Sequence, residues 1–334
     1  MTWIYMCTKA FQVTLYPAMG KVSSGWFHDD LGSVWGLLST SCRVGSLIAI
    51  VLLSLMLTVS HWRALFLAGA AACGVAAVAG IIFLSDFAPG HAPNPEVVGG
   101  RDGETGKGGI MLSTWTSYRF WLMLGATACL TPVFDFPSLL PLFLKARCPG
   151  LTPLQLTLMM VSHPLGSCLA TFMAGMLYDS VESRKTLFWA MSSMLTCGTV
   201  CMVVLYQIDS AQQCTPGRAN VVMLILFLIG ACCSPPYYLP PTMFALDFGG
   251  HKFMATVLSL LDCAGFLCSV AFFRFVSGQG NSIDWGRVLA MMCVLLCGAL
   301  FFLGRFLWID AVEPTEDVMQ PSESGVEAST GHSG

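Results

Sequence analysis

The chain has 334 residues, of which 55% are hydrophobic and only 10% charged, with a mean hydropathy of +0.70. Soluble domains carry about 25% charged residues, so a largely water-facing surface is excluded and most of the chain must face lipid or other buried segments. The net charge of -3 also excludes a nucleic-acid partner, because neutralising phosphates takes a concentrated basic surface.

Crossing the hydrocarbon core takes about 20 apolar residues in a helix. Nine stretches qualify: Trp3–Gly20, Val34–Leu57, Ala64–Ser85, Arg119–Leu144, Pro153–Tyr178, Leu187–Tyr206, Asn220–Leu246, Met254–Ser277 and Arg287–Ile309. The first is the weakest, since Lys9 and Gln12 interrupt it. The runs are continuous, whereas barrel strands alternate over about ten residues, so the expected class is an all-α membrane protein of about nine transmembrane helices. A polar segment rich in Gly and Pro divides the helices, three before and six after. The expected organisation is a partial N-terminal bundle over 1–85, a cytosolic linker over 86–117, a six-helix bundle over 118–310 and a disordered acidic tail over 311–334. Loop lysines and arginines favour one side by eight to five, which places the C-terminus in the cytosol. The 15 cysteines include no C-x-x-C pair and mostly sit in apolar runs, where they read as small packing residues. Cys148 and Cys214 lie in loops on the same side; spacing leaves their pairing open.

Local motifs resemble those of the major facilitator superfamily. Gly175-Met-Leu-Tyr-Asp179-Ser-Val-Glu-Ser-Arg184-Lys185 is similar to that family's loop motif between its eighth and ninth helices. The resemblance implies that Gly175 lets two helices approach, and that Asp179, Arg184 and Lys185 latch a cytosolic gate. Ser180 and Ser183 stand where the motif has a basic residue and a glycine. Ala18-Met-Gly20-Lys21, Trp26-Phe27, Trp35-Gly-Leu-Leu-Ser39-Thr40-Ser41 and His61-Trp62-Arg63 resemble the sugar-phosphate exchangers and glycerol-3-phosphate antiporters. So do Leu140-Pro141-Leu142-Phe143, Pro236-Tyr237, Asp247-Phe-Gly-Gly-His251-Lys252 and Leu261-Asp262-Cys-Ala-Gly265. By this likeness the spans correspond to helices four to twelve of a twelve-helix, two-bundle transporter whose halves rock about a central site, without the first three. Basic residues that the antiporters carry on the first and seventh helices are not matched: Leu130 stands at the seventh-helix position.

Charges inside a bilayer cost several kcal/mol unless paired or hydrated, so they mark candidate sites. Arg43 falls near the middle of its span, and helical spacing puts Gly36, Ser39 and Arg43 on one face. That face is expected to line a cavity, with Arg43 offering a bidentate fork to an anion. Ser41, Gly45 and Ala49 form a second, small-residue face suited to helix packing. Asp262 could be the counter-ion of Arg43, a proton or cation site, or a hydroxyl acceptor. Asp135 lies between Pro132 and Pro137, where an irregular helix is expected. His163 is a candidate for proton coupling, against a structural role. Four prolines around Tyr237 and Tyr238 should break or kink their helix, leaving the tyrosines to contact a sugar-like solute or simply to pack.

The expected function is secondary transport of a small organic anion, a sugar phosphate or glycerol phosphate, by alternating access, with inorganic phosphate as counter-substrate. Arg43, Ser39, Asp135, Tyr237 and Asp262 would bind it, with no covalent chemistry, cofactor or metal. The alternatives are a membrane sensor or regulatory partner without flux, or an inactive fragment of a longer transporter. A membrane-embedded enzyme has weaker support: His28-Asp29-Asp30 is the nearest cluster, and it reads better as a solvated helix start.

Overall fold

A computed structural model describes residues 18–19, 23, 31–59, 62–83, 115–148, 150–181, 183–210, 216–279 and 283–312. Among the described residues the regular structure is helical: α1 (Leu31–Val59), α2 (Trp62–Phe83), α3 (Tyr118–Asp135), α4 (Leu140–Arg147), α5 (Pro153–Ser180), α6 (Arg184–Ser210), α7 (Pro216–Ser277) and α8 (Trp285–Val312). Eight segments of these helices are long and apolar enough to cross a membrane, and they coincide with the second to ninth expected spans. Of the first expected span only residues 18–19 are described, of the linker expected over 86–117 only 115–117, and of the tail expected over 311–334 only 311–312, which continue α8.

Proline chemistry shapes the helices in two different ways. The expected irregularity near Asp135 is present: α3 tightens into a short 3₁₀ turn at Phe136–Ser138 before α4 resumes. The Phe136 N–H bonds Val133 O and the Leu139 N–H bonds Phe136 O, which are the three-residue spacings of that tighter turn. In α7 the expectation of a break fails. Helical hydrogen bonding continues through Pro235, Pro236, Pro240 and Pro241. Each proline removes a donor to the carbonyl four residues back, yet neighbouring hydroxyls reinforce the same stretch: Ser234 Oγ donates to Gly230 O at 2.7 Å and Thr242 Oγ1 to Tyr238 O at 2.9 Å. The chain does reverse within α7. Tyr237 and Gly265 both lie against Thr131, although a straight helix would separate them by about 42 Å. The two arms are the spans Arg218–Gly249 and Phe253–Ser277.

The α7 arms form the centre, packed on α3, α5 and α6, while α8 closes against α3 and α6. Glycines permit the closest approaches: a side chain at Gly166 would strike Phe227 O, and one at Gly230 would strike His163 O. At the α4–α5 end, Thr152 caps α5 through a reciprocal pair, Gln155 N–H to Thr152 Oγ1 at 3.3 Å and Thr152 N–H to Gln155 Oε1 at 3.0 Å, with Pro153 opening the first turn. Such a capping box satisfies two otherwise orphaned donors. Nearby, Arg147 binds the 2%-exposed Asp209 side chain at 2.6 and 2.7 Å. Cys148 is disulfide-bonded; Cys214, the other loop cysteine of that side, lies outside the described residues.

On the other flank, α1 lies along α5, and among the described residues α2 touches little besides α1. Nearly all of α2 is exposed, with Ile81 at 84%, as a helix bordered by lipid or by further membrane segments would be.

Candidate functional site

The site grows from the antiparallel seam between α1 and α5. At one end the Ser33 N–H donates to Asp179 Oδ2 at 2.6 Å. One turn further on, a Cβ at Gly36 would lie 2.9 Å from Gly175 Cα and 3.3 Å from Thr171 O. Deeper still, Arg43 comes within electrostatic reach of His163. The face of Gly36, Ser39 and Arg43 is therefore the packing face at its Gly36 end. The second face is not a packing face: Ser41 is exposed, and a Cβ added at Gly45 would meet nothing within 4 Å. Both faces carry small residues, and spacing alone cannot say which one meets a neighbour.

Arg43 reaches from α1 toward α3 and α7. Its Nη2 donates to the Tyr238 hydroxyl at 3.0 Å, and its guanidinium lies 3.6 Å from the Phe134 ring centroid. Phe134 in turn stacks on Tyr237 at 4.1 Å and meets Tyr238 edge-on at 5.1 Å. Aromatic faces carry negative electrostatic potential, so two rings, Phe134 and Tyr238, hold the cation in place of a carboxylate. Asp262 is not its counter-ion: no ion pair joins the two, and Asp262 Oδ2 is buried with no hydrogen-bond partner. Arg43 Nε likewise has none, which leaves one edge of the guanidinium able to donate to an anion.

The remaining expected residues fall into three settings. Asp135 accepts from Ser269 Oγ at 2.5 Å, tying α3 to the second arm of α7. Tyr237 lies beside Thr131. Ser39 is buried with an unpartnered hydroxyl, and His163 is buried with an unpartnered Nδ1. Next to His163, the Ser167 and Ser234 hydroxyls hydrogen-bond each other at 2.5 Å across α5 and α7. Of the motif residues, Gly175 and Asp179 meet α1 directly, at Gly36 and Ser33. Arg184 opens α6, and Lys185 is exposed beside it.

Several members of this cluster carried no signal in the sequence. Phe134 is one phenylalanine among 22; only its place beside Asp135 and between Pro132 and Pro137 could have drawn notice. Ser167, Ser234 and Ser269 are hydroxyls inside apolar spans, detectable as a class but not as partners. Asp262 borders a void of about 20 Å³ shared with Thr127, Tyr237, Tyr238 and Thr242. A larger cavity of about 300 Å³ lies elsewhere, near the 3.9 Å pair of Arg119 with Asp310, and Arg43 does not line it. Among the described residues no group of three His, Cys, Asp or Glu side chains is placed to hold a metal ion.

The arrangement pairs a ring-supported guanidinium with buried, unspent hydrogen-bonding groups at a helix seam, which suits reversible capture of a polar solute and offers no activated nucleophile. No curated protein matches the chain. The family model described as Major Facilitator Superfamily matches residues 2–273, so this multi-pass integral membrane protein belongs to that superfamily of secondary transporters.

Proposed function

We propose that the chain moves a small organic anion, a sugar phosphate or glycerol phosphate, by alternating access, in exchange for inorganic phosphate. The observation that carries this reading is Arg43: a guanidinium deep in a membrane span, held by aromatic rings and a tyrosine hydroxyl, with Nε unpartnered. A phosphate or carboxylate supplies the paired acceptors that such an edge fits. Ser39, Tyr237, Asp135 and Asp262 are its partners in this reading, as contacts for the polar, hydroxylated remainder of the solute. The halves that rock are 1–85 and 118–310, joined by 86–117, with the C-terminus in the cytosol. Asp179 on the Ser33 amide, and Gly175 against Gly36, close the cytosolic end; Arg184 and Lys185 add positive charge there.

The test is exchange in proteoliposomes loaded with phosphate and offered labelled glycerol 3-phosphate or glucose 6-phosphate. Arg43→Ala should lower exchange by about ten- to a hundredfold, the worth of a hydrogen bond to a charged group, and Arg43→Lys should restore only part of it. Exchange unchanged in Arg43→Ala removes the residue from the site. The bareness of α2 favours a second reading, a sensor or regulatory subunit whose α2 packs on another membrane protein. Solute binding without flux would select it.

A further inference from the structure

We propose that Asp262, Thr127 and Thr242 form a binding site for one sodium ion, between α3 and the two arms of α7. The void they border measures about 20 Å³, room for a single particle of about the size of a water molecule. Two of the hydroxyls that line it are acceptors only. The Thr127 hydroxyl spends its hydrogen on Met123 O at 3.0 Å, and the Thr242 hydroxyl spends its own on Tyr238 O at 2.9 Å. Both threonine oxygens therefore offer lone pairs, and no hydrogen, to any other neighbour. Asp262 Oδ2 adds a carboxylate oxygen with no hydrogen-bond partner.

A buried ionised carboxylate requires compensation by charge. The closest basic residue of the central cluster, Arg43, is engaged with Phe134 and Tyr238 and makes no ion pair with Asp262. A cation in the void satisfies the carboxylate and the hydroxyl lone pairs together. Oxygen-only donors select a hard cation. A single carboxylate is too little negative charge for a calcium site, which gathers six to eight oxygens, and magnesium demands near-ideal octahedral geometry. The water-sized space favours sodium over the larger potassium ion. A proton on Asp262 would need neither the space nor the converging hydroxyls. Tyr238 also borders the void while its hydroxyl accepts from Arg43. On the transport reading above, which this consequence rests on, ion and anion share a side chain, so occupancy of one site orders the other and sodium raises the rate of exchange.

The test is binding of radioactive sodium to the purified full-length chain in detergent, with choline chloride holding ionic strength constant. The expected result is saturable binding of one ion per chain, displaced by unlabelled sodium chloride and not by potassium chloride. Asp262→Asn and Thr242→Val should each weaken it by about tenfold or more, the loss of one or two kcal-scale contacts. Melting temperature in choline chloride checks that both variants fold. Binding is read with no organic anion or phosphate present, so a failure of anion exchange in proteoliposomes tests only the transport reading. Absence of saturable sodium binding in the unmodified chain, or full binding by folded Asp262→Asn, overturns the site.

Discussion

A single methyl group at Gly36 separates closure of the α1–α5 seam from stability of the fold. In Gly36→Ala the new Cβ would stand 2.9 Å from Gly175 Cα, 3.3 Å from Thr171 O and 3.4 Å from Gly175 N. All three neighbours are backbone atoms, so no rotamer change relieves the contact, and α1 must lift from α5 by several tenths of an ångström. Overpacking of this kind costs about 1–3 kcal/mol. If α1 and α5 belong to different halves of the transporter, only the state with this end closed carries that cost. Its population against the open state then falls by about 5- to 150-fold. The Ser33 N–H is a direct reporter, because its partner is Asp179 Oδ2 at 2.6 Å, across the seam. Hydrogen exchange followed by mass spectrometry should show peptides over 31–40 exchanging faster by the same factor, while peptides within α3 and α8 are unchanged. Gly45→Ala, where no atom lies within 4 Å, should leave the pattern as it was. Unaltered exchange over 31–40 would refute the strain argument. A uniform rise through every helix would refute the assignment of α1 and α5 to separate moving bodies.

Other substitutions probe the same framework by different routes. Asp179→Ala removes the acceptor at the first turn of α1, a loss of about 0.5–2 kcal/mol, and should speed exchange over 31–40 without the steric contribution. Gly230→Ala sets a methyl against His163 O between α5 and α7; because both helices lie in one bundle, it should lower the melting temperature instead of opening a gate. Arg147→Ala strands the Asp209 carboxylate at 2% exposure and should cost about 1–3 kcal/mol of stability. Asp209→Ala releases an Arg147 side chain that is already 43% exposed and so can hydrate; thermal unfolding in detergent should show it as the milder of the two.

The spans were legible because a bilayer imposes one coarse requirement, an uninterrupted apolar length, that the sequence states directly. The start of α5 was legible to the residue, since Thr152, Pro153 and Gln155 are the residues a helix start calls for. Prolines were legible only in part. Pro137 sits where α3 tightens into a 3₁₀ turn, whereas the four prolines of α7 leave helical bonding continuous. Sequence counts the donors a proline removes; whether the backbone breaks depends on packing from outside the segment. Glycine faces failed for a related reason: Gly36 and Gly45 are equivalent in sequence, and only the position of α5 distinguishes them.

Arg43 was legible as a residue but not as an environment, and the difference bears on its proposed task. A charge within the bilayer is conspicuous, and the natural expectation is a carboxylate partner. The actual partners are the faces and hydroxyl of aromatic residues, indistinguishable in sequence from packing residues. An arginine neutralised by an aspartate would have to give up that ion pair before an anion could bind, at a cost of several kcal/mol in a buried setting. One supported by a ring quadrupole gives up about 0.5–2 kcal/mol or nothing, since the face of the guanidinium remains on the ring while its edge turns to the incoming anion. The solute, not a resident acid, then supplies the counter-charge. Capture and release of an anion are both feasible from such a site, because neither step leaves two fixed charges to be reunited within the protein.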